Sequence, residues 1–61
     1  GKFNADNITI YYKDRFSEEL IPLRLNLVKT EDDFLISKGK SIPIHRIREV
    51  RNNGILIWKR Q

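Results

Sequence analysis

The sequence predicts an all-β domain of about five short antiparallel strands, forming a curled sheet or small partly open barrel, with one tight helical turn near residues 43–47. Three observations predict this class. Apolar and polar residues alternate at period two in short runs. Gly, Asn, Asp and Ser recur between those runs, where the backbone must reverse. A chain of 61 residues without cysteine has room for one small domain, residues 1–61, held by packing rather than by disulfides.

The elements follow in order. In ITIYYK, Ile8, Ile10 and Tyr12 fall on one side and Thr9, Tyr11 and Lys13 on the other, which is the pattern of a half-buried strand. DRFSEE supplies turn chemistry, because Asp14 and Ser17 can bond nearby backbone groups. In LIPLRLNLV, Ile21, Leu23, Leu25 and Leu27 alternate with Pro22, Arg24, Asn26 and Val28, giving a second strand. Pro22 has no backbone donor, so that strand belongs at a sheet edge or starts there. KTEDD reads as a short acidic loop, and FLISK, Gly39 and SIPI read as a hairpin. The segment around Ile44, Ile47 and Val50 has helical spacing but is too short between Pro43 and Gly54 for a stable α-helix. A single tight turn at PIHRI, a strand REVRN, an Asn-Asn-Gly turn and a last strand ILIWKR satisfy more signals.

Composition excludes several function classes. The absence of cysteine removes thiolate metal sites and cysteine nucleophiles, and one histidine argues against a four-ligand zinc site. No apolar run approaches the roughly 20 residues that span a bilayer, and GKFNADN has no signal-peptide core, so a soluble, cytoplasmic or other intracellular domain is expected. Gly1 in place of methionine reads as a tag scar or the start of an excised domain. No cofactor is expected.

Charge is distributed unevenly. Residues 1–37 carry five basic and seven acidic side chains, a balance of −2, whereas residues 38–61 carry seven basic and one acidic, a balance of +6. Such a concentration is either a solvated face or the footprint of a polyanionic partner such as nucleic acid.

Candidate site residues lie near the turns. His45 and Arg46 occupy the proposed tight turn, where two ring nitrogens and a guanidinium fork suit phosphate oxygens; the alternative is a half-buried histidine bonded to a backbone carbonyl. Trp58 is either a core anchor or, beside Lys59 and Arg60, a stacking surface framed by cations. Tyr11 and Tyr12 face opposite ways, so only one shares that surface. Asp14 and Arg15 form an exposed ion pair, or Asp14 orients Arg15 toward the turn. Glu31, Asp32 and Asp33 lack the alternating spacing of a calcium loop and read as solvated. No phosphate-binding glycine loop or nucleophile elbow is present.

Three segments together, YYKDRFSEELIPL, IPIHRIREVR and GILIWKR, resemble a small archaeal family of uncharacterised proteins, the RNA cyclic-group end-recognition domain. Its members show a Tyr-x-Asp-Arg step, an Ile-Pro-x-His-Arg-Ile block and a final Trp-x-Arg. The likeness covers nearly the whole chain in the same order. GKFNADN departs from the short N-terminal helix and Trp-Asp step that members usually carry.

The resemblance implies an RNA-binding module, alone or joined to RNA-processing enzymes, that recognises 3′ ends bearing a phosphate or a 2′,3′-cyclic phosphate. Under it, Arg15, His45, Arg46 and Arg60 hold the terminal phosphate, Trp58 or Tyr12 stacks the last base, and Asp14 and Arg48 support them. Catalysis is disfavoured, because opening a cyclic phosphate needs an acid and a base and the chain has one histidine. The competing readings are single-stranded nucleic-acid binding blind to the end group, and a protein-interaction module that pairs a peptide with an open strand edge.

Overall fold

The computed structural model of the chain describes residues 4–60. Seven strands form, all antiparallel: β1 (Ile8–Tyr12), β2 (Ile21–Arg24), β3 (Lys29–Glu31), β4 (Phe34–Ser37), β5 (Lys40–Pro43), β6 (Ile47–Asn52) and β7 (Ile55–Lys59). The all-β class expected from the sequence is the one observed. The strands divide into a four-stranded sheet, ordered β2-β1-β6-β7, and a three-stranded sheet, β3-β4-β5, and these are not closed into a barrel. Single 3-10 turns cover Ala5–Asn7, Leu25–Leu27 and Ile44–Arg46. The last is the tight turn expected near residues 43–47, while Gly1 lies outside the described residues. Among the described residues no helix is long and apolar enough to cross a membrane.

One core joins the sheets. β1 and β6 contribute Ile10, Tyr12 and Ile47; β4 and β5 contribute Leu35 and Ile42, with Ile21, Leu23, Leu25, Val28 and Val50 packed around them. The alternation of β1 is realised as read, with Ile8, Ile10 and Tyr12 buried and the residues between them half-buried. β2 is an edge strand, and Pro22 sits in it where a missing N–H costs no ladder bond.

Two expectations are corrected. The second strand does not run through LIPLRLNLV. It breaks into the 3-10 turn at Leu25–Leu27 and resumes as β3 in the other sheet, so residues 29–31 of the supposed acidic loop are a strand. Crossing between sheets requires a corner, and Asn26 supports it by donating from Nδ2 to Asp6 Oδ1 at 2.8 Å. Leu27 is left largely exposed as a result. Trp58 is not a core anchor. Its cross-strand partner Val50 places it on the core-facing side of the sheet, but β7 is an edge strand outside the core cluster, and the ring stays 43% exposed.

Two hairpins carry the turns that the sequence signals. Lys38 and Gly39 connect β4 to β5, and Asn53 and Gly54 connect β6 to β7; all four residues have positive φ. Such two-residue loops match the twist of the flanking strands and favour Asn-Gly. A Cβ built on Gly54 meets nothing within 4 Å, so the cost of a side chain there is in the backbone alone. Gly54→Ala is expected to destabilise the domain by about 1–2 kcal/mol. Each kcal/mol lowers Tm by about 4–8 °C at this size, and Gly54→Asn should recover most of the loss in thermal unfolding followed by circular dichroism.

Candidate nucleic-acid interface

An open cleft of about 320 Å³ lies where the chain leaves β1 and passes β5 and the Ile44–Arg46 turn. A backbone bond, Lys13 N–H to the Arg46 carbonyl at 2.9 Å, ties these segments together. Tyr12 is 6% exposed, its ring in the core and its hydroxyl facing Lys40, whose Nζ donates to that oxygen at 3.4 Å. The same ammonium is 3.9 Å from Asp14 Oδ2 and 5.6 Å from the Tyr12 ring centroid. Asp14 also holds its own turn, since Oδ1 accepts from the Phe16 N–H at 3.3 Å and the Asp14 carbonyl accepts from Ser17 N–H at 3.2 Å. Lys13, Arg15 and Arg46 complete the cationic lining, with Lys13 Nζ bonded to the Ser17 carbonyl.

Of the residues expected at a phosphate site, the cleft brings together Tyr12, Asp14, Arg15 and Arg46. Several expected details differ. Asp14 does not orient Arg15, because its carboxylate is engaged by the Phe16 amide and faces Lys40. The Arg15 guanidinium instead lies 5.8 Å from the ring centroid of Phe16, a side chain 88% exposed. Tyr12 has no open ring face on which a base can stack, because β1 turns that ring into the core. The exposed His45 is outside the lining, and it is its neighbour Arg46 that enters the cleft.

Arg60, Arg48 and Trp58 form a separate unit behind the turn. Arg60 Nε donates to the Ile47 carbonyl at 2.9 Å, and its other terminus donates to the Ile44 carbonyl at 3.4 Å. Arg48 donates to the His45 carbonyl at 2.8 Å. The Ile44 carbonyl already accepts the Ile47 N–H that closes the turn, so Arg60 adds a second donor there, while Arg48 serves the His45 carbonyl, and arginines near the end of a helical turn are well suited to both. The Arg60 guanidinium lies 5.3 Å from the Trp58 ring centroid, so the ring backs the clamp. These residues therefore hold the turn that carries Arg46, and none of them lines the cleft.

Sequence reasoning missed Lys13, Lys40 and Ser41 as lining residues. The signal for Lys40 was its place one residue after the hairpin glycine, within the basic C-terminal part of the chain.

Arg60→Ala is expected to cost about 1–2 kcal/mol, from two lost hydrogen bonds. It should also change the emission of Trp58, the only tryptophan. Arg60→Lys keeps the charge but not the fork, and recovery of both signals by lysine would show that the fork is not what matters.

No curated protein and no solved structure matches the chain. A family model does match it, over residues 1–60. The chain belongs to the family described as the MJ1316 RNA cyclic group end recognition domain.

Proposed function

We propose that the cleft receives the phosphorylated or 2′,3′-cyclic phosphate 3′ end of an RNA. The observation that carries this reading is the convergence of Lys13, Arg15, Lys40 and Arg46 on one open cleft that contains a single carboxylate, itself close to Lys40. Charged donors around a phosphate make bonds about twice as strong as neutral ones; a terminal phosphomonoester has one more free oxygen than an internal diester, and a 2′,3′-cyclic phosphate, itself a diester, has no nucleotide beyond it to keep its oxygens out of the cleft. Arg15 and Arg46 supply guanidinium forks, Lys40 a point charge held by the Tyr12 hydroxyl, and Ser41 a further polar group. His45 touches the RNA from the rim of the turn, and the exposed Phe16 ring beside Arg15 offers a face for the last base. Arg60, Arg48 and Trp58 act through the turn rather than on the RNA.

The family is described as a recognition domain, which favours binding over turnover. His45, the residue that would serve as general acid or base, stands outside the cleft lining. An RNA partner, met alone or through an RNA-processing enzyme in trans or in a fused chain, goes with an intracellular location. One observation favours a second reading, a peptide-binding module: β7 is an open edge strand with Ile55, Leu56, Ile57 and Trp58 all exposed.

One short labelled RNA with hydroxyl, 2′-phosphate, 3′-phosphate and 2′,3′-cyclic phosphate termini, titrated at two salt concentrations, tests the proposal. A preference for phosphorylated or cyclic ends should persist at the higher salt. Lys40→Ala and Arg46→Ala should each weaken that binding by about tenfold or more, in line with about 1.5–3 kcal/mol for a hydrogen bond to a charged group. His45→Ala should cost less than either. Equal, salt-sensitive affinity for all four termini would leave only a basic surface that grips the backbone, and no RNA binding at all would turn attention to β7.

A further inference from the structure

A second cleft, of about 520 Å³, opens between β1, β2 and the β4–β5 hairpin. Its lining includes Tyr11, Pro22, Arg24, Leu27 and Lys38, and contains no carboxylate. Two pairs of residues relate it to the first cleft. Tyr12 lines the first cleft and Tyr11 the second, because successive residues of β1 point to opposite faces. Lys40 lines the first and Lys38 the second, one on each side of Gly39. The hairpin tip thus stands between the two clefts, with an ammonium in each.

That tip has a defined shape. Lys38 and Gly39 have φ of 51° and 76°, and the ladder closes directly behind them at Ser37 and Lys40, with Ser37 buried. Two residues of chain span at most about 7 Å, so the lysines are held at short range from one another. Across the second cleft, Pro22 lies opposite Tyr11 in the strand register, giving an apolar floor. Arg51 lies 5.9 Å from the Tyr11 ring centroid and is anchored by Glu49 at 3.1 Å and by the Gly54 carbonyl at 3.1 Å. Among the described residues Arg24 and Lys38 form no ion pair, and both are exposed.

We infer that the second cleft takes the nucleotides preceding the RNA 3′ end, so that one single strand crosses the Lys38–Gly39–Lys40 tip with its terminus in the first cleft. The inference rests on the end-binding reading above. Arg24 and Lys38 meet phosphates on the far side of the tip, and the Tyr11–Pro22 floor with its flanking Arg51 meets a base. Arg24 and Lys38, in a lining without a carboxylate and beside the Tyr11 ring, suit a nucleotide of any sequence, whereas Arg51 is already paired with Glu49 and adds no free charge. The cleft therefore adds affinity with RNA length and reads no end group.

The test compares the wild type with the double variant Arg24→Ala/Lys38→Ala, using a 2′,3′-cyclic mononucleotide and RNAs of two, four and six nucleotides with the same cyclic end. Both proteins should bind the mononucleotide equally. Wild-type affinity should rise about tenfold or more with length, and the variant should lose that rise. Its dependence of log affinity on log salt should also be shallower by about 1.4, for two phosphates at roughly 0.7 each on a single strand. Tyr11→Ala should reduce the length effect and leave the salt slope unchanged. A variant that gains affinity with length as the wild type does overturns the inference while leaving the end site intact. A wild type that does not bind the mononucleotide overturns the end reading, and with it the placement of this cleft next to the terminus. Loss of RNA affinity in the double variant would then report a backbone contact alone.

Discussion

The burial of Tyr12 is the constraint on which the rest depends. Among the described residues no large side chain is fully removed from water, and Tyr12 is the bulkiest of the core residues that join the two sheets. Its ring is held by Ile10 and Ile47 on one side of the fold and by Leu35 and Ile42 on the other. Its hydroxyl, the polar end of a buried ring, needs a partner and finds Lys40. The packing that stabilises the domain therefore also sets the position of a cation in the cleft. The strand ends at Tyr12, and the charged residues Lys13 to Arg15 that follow it collect at this end of β1.

Arginines in this domain divide into two kinds by what satisfies them. Arg48 and Arg60 spend donors on backbone carbonyls of the Ile44–Arg46 turn and its exit. Arg15 and Arg46 line the cleft without such bonds to the turn. A 3-10 turn of three residues has too few internal bonds to keep its shape alone. Arginine clamps from β6 and from the residue after β7 add donors to the His45, Ile44 and Ile47 carbonyls, and Trp58 limits where the second clamp can go. A residue at the far end of the chain thus determines how Arg46 is presented.

Much of the fold was legible in the sequence because strand periodicity and turn chemistry are local. The pattern in Ile8–Tyr12, the glycine at 39, the Asn-Gly at 53–54 and the edge position of Pro22 all follow from neighbours a few residues apart. The break at Leu25–Leu27 was not legible, since the alternation continues through it and only the need to change sheets interrupts the strand. Register shifts hid more. The pairing slips between Tyr11 and Tyr12 on the β1–β6 side and between Val50 and Arg51 on the β6–β7 side, so parity counted along the chain does not carry across.

For the site, the sequence by itself determined which residue types were available: a C-terminal part rich in cations, one histidine, one tryptophan and a tight turn bearing His45 and Arg46. It also determined that Tyr11 and Tyr12 must face opposite ways, because a strand alternates at every residue. Only the tertiary structure decided that Arg46 rather than His45 enters the cleft, that Lys40 joins it from a different sheet, and that Arg60 is occupied with the backbone. Those choices depend on how two sheets meet over one shared core, and contacts between residues 28 positions apart, such as Tyr12 and Lys40, leave no periodic trace in the chain.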